Sequence, residues 1–337
     1  MIYKTYQELS KDIQKNLWKL PDIDLVVGIP RSGMIPAYML GFLLNTPVCS
    51  LDEFSANLIK SNSHRVLNTQ KIHNVLVIDD ACSSGRAIRE AKESLVNILR
   101  SNKYKIIFGS VYVLPGSEDK VDVFFEYASA PRMFQWNYLN HPEVIHACFD
   151  IDGVLCYDPK PEENDDGEKY RHFILNAKPL SIPKYKIKAL VTSRLEKYRK
   201  ETEQWLKDHN VQYEKLYMLD LPNQAERIKQ NAHAKFKAKI YAKIDSPIFY
   251  ESELGQAKEI FLLTGKPVFC VDTNTLIQSK EQATNEEVLL PYMEKKYKCR
   301  IRLFGITLFS KRKKGDKRIY RILGIKIVLH KKKKSGK

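Results

Sequence analysis

The sequence predicts an α/β protein: two doubly wound parallel-sheet domains followed by a short, basic, β-prone C-terminal tail. Three observations carry this. Apolar, strand-like runs alternate with helix-like stretches through two successive regions. Acids, serines and glycines stand at the ends of those runs, where open parallel sheets place their ligands. The positive charge is confined to the C-terminal end. A chain of 337 residues is long enough for two cores. The expected division is 1–140, 141–276, a linker at 277–294 and the tail at 295–337.

Composition excludes several classes. With 43% hydrophobic and 28% charged residues the chain is not expected to be disordered. No apolar run approaches the ~20 residues of a membrane-spanning helix, and residues 1–12 lack the apolar core of a secretory signal. A cytoplasmic protein is expected. The six cysteines (Cys49, Cys82, Cys148, Cys156, Cys270 and Cys299) show no C-x-x-C spacing. They read as reduced thiols rather than a disulfide frame or a zinc site.

In the first region, residues 25–30 form a buried strand ended by Gly28 and Pro30, and Arg31-Ser32-Gly33 follows. An apolar helix is predicted over 34–44 and a short strand over 47–51. Residues 74–80 are a second strong strand, and 85–99 a helix. Strands follow over 106–114 and 121–125. The stretch Asp79-Asp80-Ala81-Cys82-Ser83-Ser84-Gly85-Arg86 joins strand to helix. A turn of small residues at a helix N-terminus collects backbone N–H groups and about +0.5 charge, which suits a phosphate. Carboxylates beside it suit sugar hydroxyls, as acceptors.

This stretch resembles the phosphoribosyl pyrophosphate signature of the type I phosphoribosyltransferases, over residues 20–130. The resemblance implies that Asp79 and Asp80 hold the ribose hydroxyls, and that Ser83, Ser84, Gly85 and Arg86 wrap the 5-phosphate. It implies that Arg31, Ser32 and Gly33 lie on the loop facing the pyrophosphate, with Arg31 supplying charge. Residues 52–71 fall where the family carries its mobile hood loop. One departure is Ala87, which stands where the family usually has a hydroxyl residue.

Residues 131–142 read as a connector whose Met133, Phe134, Trp136, Tyr138 and Leu139 must pack somewhere. A strand over 144–149 then ends in Asp150-Ile151-Asp152-Gly153. Two carboxylates two positions apart share one side of an extended chain, so one can attack and the other move protons. Gly153 permits a tight turn. Downstream come a strand at 187–194 ending in Thr192-Ser193-Arg194, a helix at 196–209, and a lysine-rich stretch at 233–238. A strand at 247–253 ends in acids, a helix follows it, and the last strand spans 266–272.

That order resembles the haloacid dehalogenase superfamily of phosphatases, over residues 144–276. Both regions would then be Rossmann-like. The resemblance implies that Asp150 attacks phosphorus and that Asp152 protonates the leaving oxygen and then activates water. Thr192 would bind a phosphoryl oxygen and Lys237 would balance charge, with Lys235 and Lys239 as competitors. Asp150, Asp152 and Glu251 would hold Mg²⁺, with Glu253 competing for the last place. The acidic stretch 162–168 is assigned no chemistry. His146, His172 and His233 read as structural or surface residues.

From Lys295 to Lys337 the chain carries 18 Lys and Arg and one acid, Asp316. The whole chain is +16, so everything before the tail is close to neutral. Within the tail, Ile301-Arg302-Leu303-Phe304-Gly305-Ile306 is echoed by Tyr320-Arg321-Ile322-Leu323-Gly324-Ile325, and basic clusters follow at 311–314 and 331–334. A two-stranded hairpin is expected. Near an anionic membrane each base contributes roughly 1 kcal/mol, so the tail could hold the protein at the inner face. The lack of interleaved aromatics argues against nucleic acid.

Together the two resemblances imply a bifunctional enzyme. The first site would transfer 5-phosphoribose from phosphoribosyl pyrophosphate to an acceptor, a glycan or lipid-linked glycan of surface polysaccharide synthesis. The second, using Mg²⁺, would remove the 5-phosphate, giving net ribofuranosyl transfer. One alternative is a nucleobase or orotate-type phosphoribosyltransferase joined to a nucleotide phosphatase. Another is a domain that senses phosphoribosyl pyrophosphate and regulates the phosphatase. Glu53, Asp122 and Glu126 are candidates for an acceptor-activating base.

Overall fold

The apolar runs of the N-terminal half build a five-stranded, all-parallel sheet. The computed structural model describes residues 1–59 and 72–284, together with the backbone of four further strands between 299 and 330. In chain order the strands of this first sheet are Leu25–Gly28, Val48–Ser50, Asn74–Cys82, Lys105–Val113 and Val123–Tyr127. They lie side by side as second, first, third, fourth, fifth. Leu25, Val26, Val27, Val75, Leu76, Val77 and Ile78 are all fully buried, as strands covered on both faces must be. Helix Met34–Leu44 covers one face and stops where Asn45 turns left-handed. The predicted helix over 85–99 is two helices, Arg86–Ser94 and Val96–Arg100, interrupted at the buried Leu95.

The second half forms a six-stranded sheet from Cys148–Phe149, Ile187–Leu195, Tyr213–Leu219, Phe249–Glu251, Val268–Cys270 and Thr275–Ile277. Its order is third, second, first, fourth, fifth, sixth; only the last pairing is antiparallel. The strand expected from residue 144 begins only at Cys148. Pro142 opens a short 3-10 turn, Pro142–His146, and the His141 ring accepts a hydrogen bond from the Glu143 N–H.

The 131–142 stretch is more than a connector. Arg132–Phe134 pairs in parallel with the N-terminal strand Ile2–Lys4. Phe134 and Trp136 stack on each other, at 4.9 Å between ring centroids, and against Tyr112 of the first sheet. Tyr138 turns the other way and stacks on Tyr250, whose hydroxyl donates to the Tyr138 carbonyl at 2.9 Å. Tyr3 packs edge-on against Phe269. Residues 1–283 are one compact unit in consequence.

Residues 284–337 form a second unit. Its described backbone is a four-stranded antiparallel meander: Cys299–Leu303, Ile306–Lys314, Lys317–Ile322 and Ile325–His330. The expected two-stranded hairpin is thus corrected to four strands. Two sequence positions, one of them a glycine (Gly305, Gly315 or Gly324), separate each strand from the next. The basic cluster at 331–334, most of the 277–294 linker and residues 60–71 of the expected hood loop lie outside the described residues. Among the described residues no helix is long and apolar enough to cross a membrane, and the five described cysteines are buried and free.

Candidate active sites

In an open parallel sheet, a crevice forms where neighbouring strands send their connections in opposite directions. In the first sheet that point lies between Leu25–Gly28 and Asn74–Cys82, which are direct neighbours. Their carboxyl ends carry the two predicted motifs, and side chains join them. Ser32 Oγ donates to Asp80 Oδ1 at 2.9 Å. Gly33 packs so tightly that a Cβ there would sit 2.5 Å from the Ile29 carbonyl oxygen and 3.0 Å from Asp79 Oδ1. Only glycine fits. Arg31 stands exposed on the same loop.

Asp79 and Asp80 are both buried. The Asp80 N–H donates to Asp79 Oδ1 at 2.9 Å. Burial, followed by the charge of Asp80, pushes the Asp79 pKa up to about 8. The Trp136 indole N–H donates to the other Asp80 oxygen at 2.5 Å. The connector thus supplies a first-site residue that sequence reading missed.

The turn at 82–87 is organised by further unpredicted residues. Gly85 has φ +72°, which releases the chain from the strand into helix Arg86–Ser94. Buried Arg132 donates to Ser83 Oγ at 2.5 Å and to the Ala128 carbonyl at 2.8 Å. Ser83 Oγ accepts that bond and keeps its own O–H to give to an anion. The Ser83 carbonyl accepts from Ser117 Oγ at 2.6 Å and from Lys120 Nζ at 2.7 Å. Ser84 is exposed, and its Oγ accepts from the Arg86 N–H at 3.4 Å. The Arg86 guanidinium pairs with Glu90 along its own helix, 2.7 Å away. The cations set against the turn are therefore Arg132 and Lys120, and Arg86 offers its backbone.

In the second sheet the corresponding point lies at the first strand, Cys148–Phe149, between Ile187–Leu195 and Phe249–Glu251. Asp150 follows the first strand, Glu251 ends the fourth, and Thr192 lies in the second. Helix Ala232–Tyr241 presents Lys237 to them. Lys237 Nζ donates to Asp150 Oδ2 at 2.5 Å, to Glu251 Oε2 at 2.6 Å and to Gln256 Oε1 at 2.9 Å. Of the three competing lysines it alone is buried, and Glu251 likewise prevails over Glu253, which caps helix Leu254–Thr264.

Burial opposes charge on Lys237, but Asp150 and Glu251 outweigh it and hold its pKa above the usual lysine value. Burial raises Asp150 and carries Glu251 to about 7, with Lys237 opposing both. Asp152 departs from the expected common side. Its carboxylate is gripped by Arg194, through Nη2 at 2.7 Å and Nε at 3.2 Å, and Arg194 is buried as well. The backbone turns at Gly153, φ +72°, and a Cβ there would strike Ser252. Thr192 is buried, with its Oγ accepting from the Arg194 N–H at 3.2 Å.

The three carboxylates expected to hold Mg²⁺ do not form a cluster with metal-ligand geometry among the described residues. Asp152 is drawn to Arg194, while Asp150 and Glu251 share Lys237. The charge balance still suits a cation. Asp158 beside them is pushed up to about 6 by burial and by the charges of Asp152, Asp150 and Asp272. Asp150, Asp152, Asp158 and Glu251 thus outnumber Lys237 and Arg194, the two buried cations ion-paired among them. Asp150 and Glu251 each turn one oxygen to the shared Lys237 ammonium.

The base candidates have structural duties. Glu126 binds Lys15 and Asn16, Asp122 accepts the Phe108 N–H, and Glu53 caps helix Leu51–Ser55. In the acidic stretch, Asp166 accepts from Tyr198 and Gln224.

No family model matches the sequence, and no curated protein does. Among solved structures, the chain is similar to the xanthine-guanine-hypoxanthine phosphoribosyltransferase of Helicobacter pylori, at 17% identity and a TM-score of 0.31, over 40% of this chain and 90% of that one. It is similar to a purine phosphoribosyltransferase of Pyrococcus horikoshii, at 20% identity and a TM-score of 0.30, over 40% and 92%. An orotate phosphoribosyltransferase of Aeropyrum pernix aligns at 20% identity and a TM-score of 0.27, over 36% and 70%.

Proposed function

We propose that this chain is a bifunctional enzyme that transfers phosphoribose from phosphoribosyl pyrophosphate to an acceptor hydroxyl and then removes the 5-phosphate. The observation that carries it is the placement of a phosphate-type turn with paired acids at one sheet's crevice, and of the Asp150–Lys237–Glu251 cluster at the other's, within one compact unit.

At the first site the turn at 82–87 receives the 5-phosphate, with N–H groups and the Ser83 hydroxyl as donors. Asp79 and Asp80 take the ribose hydroxyls, and the Arg31–Gly33 loop takes the pyrophosphate. The acceptor oxygen bonds to C1 of the pentose as the bond from C1 to pyrophosphate oxygen breaks. The acceptor's proton leaves with solvent or with the departing group. Mg²⁺ bound with the substrate would offset the pyrophosphate charge.

At the second site Asp150 Oδ bonds to phosphorus as the ester P–O bond breaks, and Asp152, protonated by solvent before the step, gives the leaving oxygen that proton. Water then attacks the aspartyl phosphate, loses its proton to Asp152 and releases inorganic phosphate. Lys237 holds Asp150 in place, and Arg194 fixes Asp152. Mg²⁺ carried by Asp150 and Glu251 would lower the repulsion between carboxylate and phosphate.

A glycan or lipid-linked glycan is the acceptor that makes sense of the pairing, because trimming the phosphate would undo a nucleobase salvage reaction. The basic tail suits an anionic membrane face where such acceptors sit. The test is incubation with phosphoribosyl pyrophosphate, Mg²⁺ and a lipid-linked glycan. A pentose mass gained by the acceptor, with pyrophosphate and phosphate released, supports the reading; no transfer to any glycan, lipid or base acceptor sinks it. A sensing role for the first half is favoured by Ala87 and by the Arg86 side chain turned onto Glu90. It predicts binding of phosphoribosyl pyrophosphate without pyrophosphate release.

A further inference from the structure

Three arginines are buried among the described residues: Arg132, Arg194 and Arg227. A guanidinium removed from water costs several kcal/mol unless an anion compensates it. Arg194 has Asp152. Arg132 has no carboxylate in an ion pair and lies against the phosphate turn of the first site. Arg227 is in the same position at the second site. It is 7% exposed, and its Nη1 donates to the Ser193 carbonyl at 2.8 Å, between Thr192 and Arg194. Its Nε is buried with no partner. The described ion pairs around this site go to Arg194 and Lys237 and none to Arg227.

We propose that Arg227 is a phosphoryl-binding residue of the second site, its guanidinium reserved for the oxygens of the phosphate monoester and of the inorganic phosphate product.

This rests on the phosphatase reading and names the residue that compensates its dianion. The other buried cations are committed: Lys237 to two carboxylates, Arg194 to one. His233 cannot serve at neutral pH, because burial, then the charges of Arg227 and Lys237, push it down to about 4. Arg227 is the cation whose charge is not already spent. Its planar fork matches phosphate oxygens. Tyr170, on the helix Glu168–Asn176, is buried nearby, and the Arg227 charge works against the rise that burial causes in its pKa. No sequence signal distinguished Arg227, because it lies outside every motif and its burial is a tertiary property.

The experiment is calorimetric titration of the full-length protein with inorganic phosphate, alongside steady-state hydrolysis of p-nitrophenyl phosphate. Wild type is compared with Arg227→Gln, Arg227→Lys and the exposed control Lys229→Gln. Arg227→Gln should weaken phosphate about tenfold to a hundredfold, the range expected for charge-assisted hydrogen bonds. The Michaelis constant should rise with it, while kcat changes less. Arg227→Lys should recover part of the loss, and Lys229→Gln should match wild type. If Arg227→Gln does not fold, Arg227→Lys decides: a loss of several-fold or more upholds the proposal, and wild-type affinity overturns it. Failure of wild type to bind phosphate overturns it outright. A wild type that binds phosphate through Arg227 yet hydrolyses no ester sinks the phosphatase reading and leaves this inference standing. One that hydrolyses esters with no dependence on Arg227 does the reverse.

Discussion

The indole N–H of Trp136 lies 2.5 Å from a carboxylate oxygen of Asp80, 56 positions earlier in the chain. The same segment carries Tyr138, stacked on Tyr250, whose ring also stacks on Phe149 at 4.1 Å between centroids. Tyr250 and Phe149 immediately precede Glu251 and Asp150. One aromatic stretch therefore supports an acid of the first site and the strand ends of the second.

Trp136→Phe should keep the stack on Phe134 and lose the bond to Asp80. A hydrogen bond to a charged group is worth about 1.5–3 kcal/mol, so phosphoribosyl pyrophosphate should bind about tenfold or more weakly. Calorimetric titration reads this directly. Unchanged affinity would show that Asp80 does not need the indole.

Asp79→Asn should flatten the pH dependence of stability. An acid whose folded pKa lies above its unfolded value contributes most stability below the unfolded value and loses it as pH rises through the folded one. For Asp79 that window runs from 3.8 to about 8. The variant should be more stable than wild type at pH 9, by on the order of a few kcal/mol, and equal to it at pH 4. Urea titrations at the two pH values check it; a variant less stable at pH 9 refutes it.

Lys237→Met should leave Asp150 and Glu251 facing each other without their shared ammonium. Removing one partner of a buried pair costs about 3–5 kcal/mol. The loss should shrink towards pH 5, since Glu251 already titrates near 7 with Lys237 present and rises further without it. Denaturation at pH 5 and pH 8 separates this from a packing defect, which would cost the same at both.

Asp150→Asn should leave the first reaction running and stop the second. Loss of a nucleophile lowers turnover by at least about a thousandfold. Mass spectrometry of the acceptor should find phosphopentose in place of pentose. Recovery of plain pentose at the wild-type rate would assign the trimming to another group.

The sequence by itself determined the fold class and marked both motifs; it passed over Tyr213–Leu219 and Thr275–Ile277, strands of the second sheet, and two of the four strands of the tail. Apolar runs such as 74–78 and the acids and small residues that follow them are local patterns, fixed by the needs of buried parallel strands. It also marked Asp79, Asp80, Asp150 and Glu251 as strand-end acids. Only the tertiary structure decided that Lys237, not Lys235 or Lys239, enters the second site, because neighbours on a helix differ by the face they present. It alone turned Asp152 to Arg194, and brought Arg132, Trp136 and Arg227 to their places beside the candidate sites. Those contacts join residues up to 87 positions apart. Burial and pairing arise only when distant strands and helices close over one another, so no local pattern encodes them.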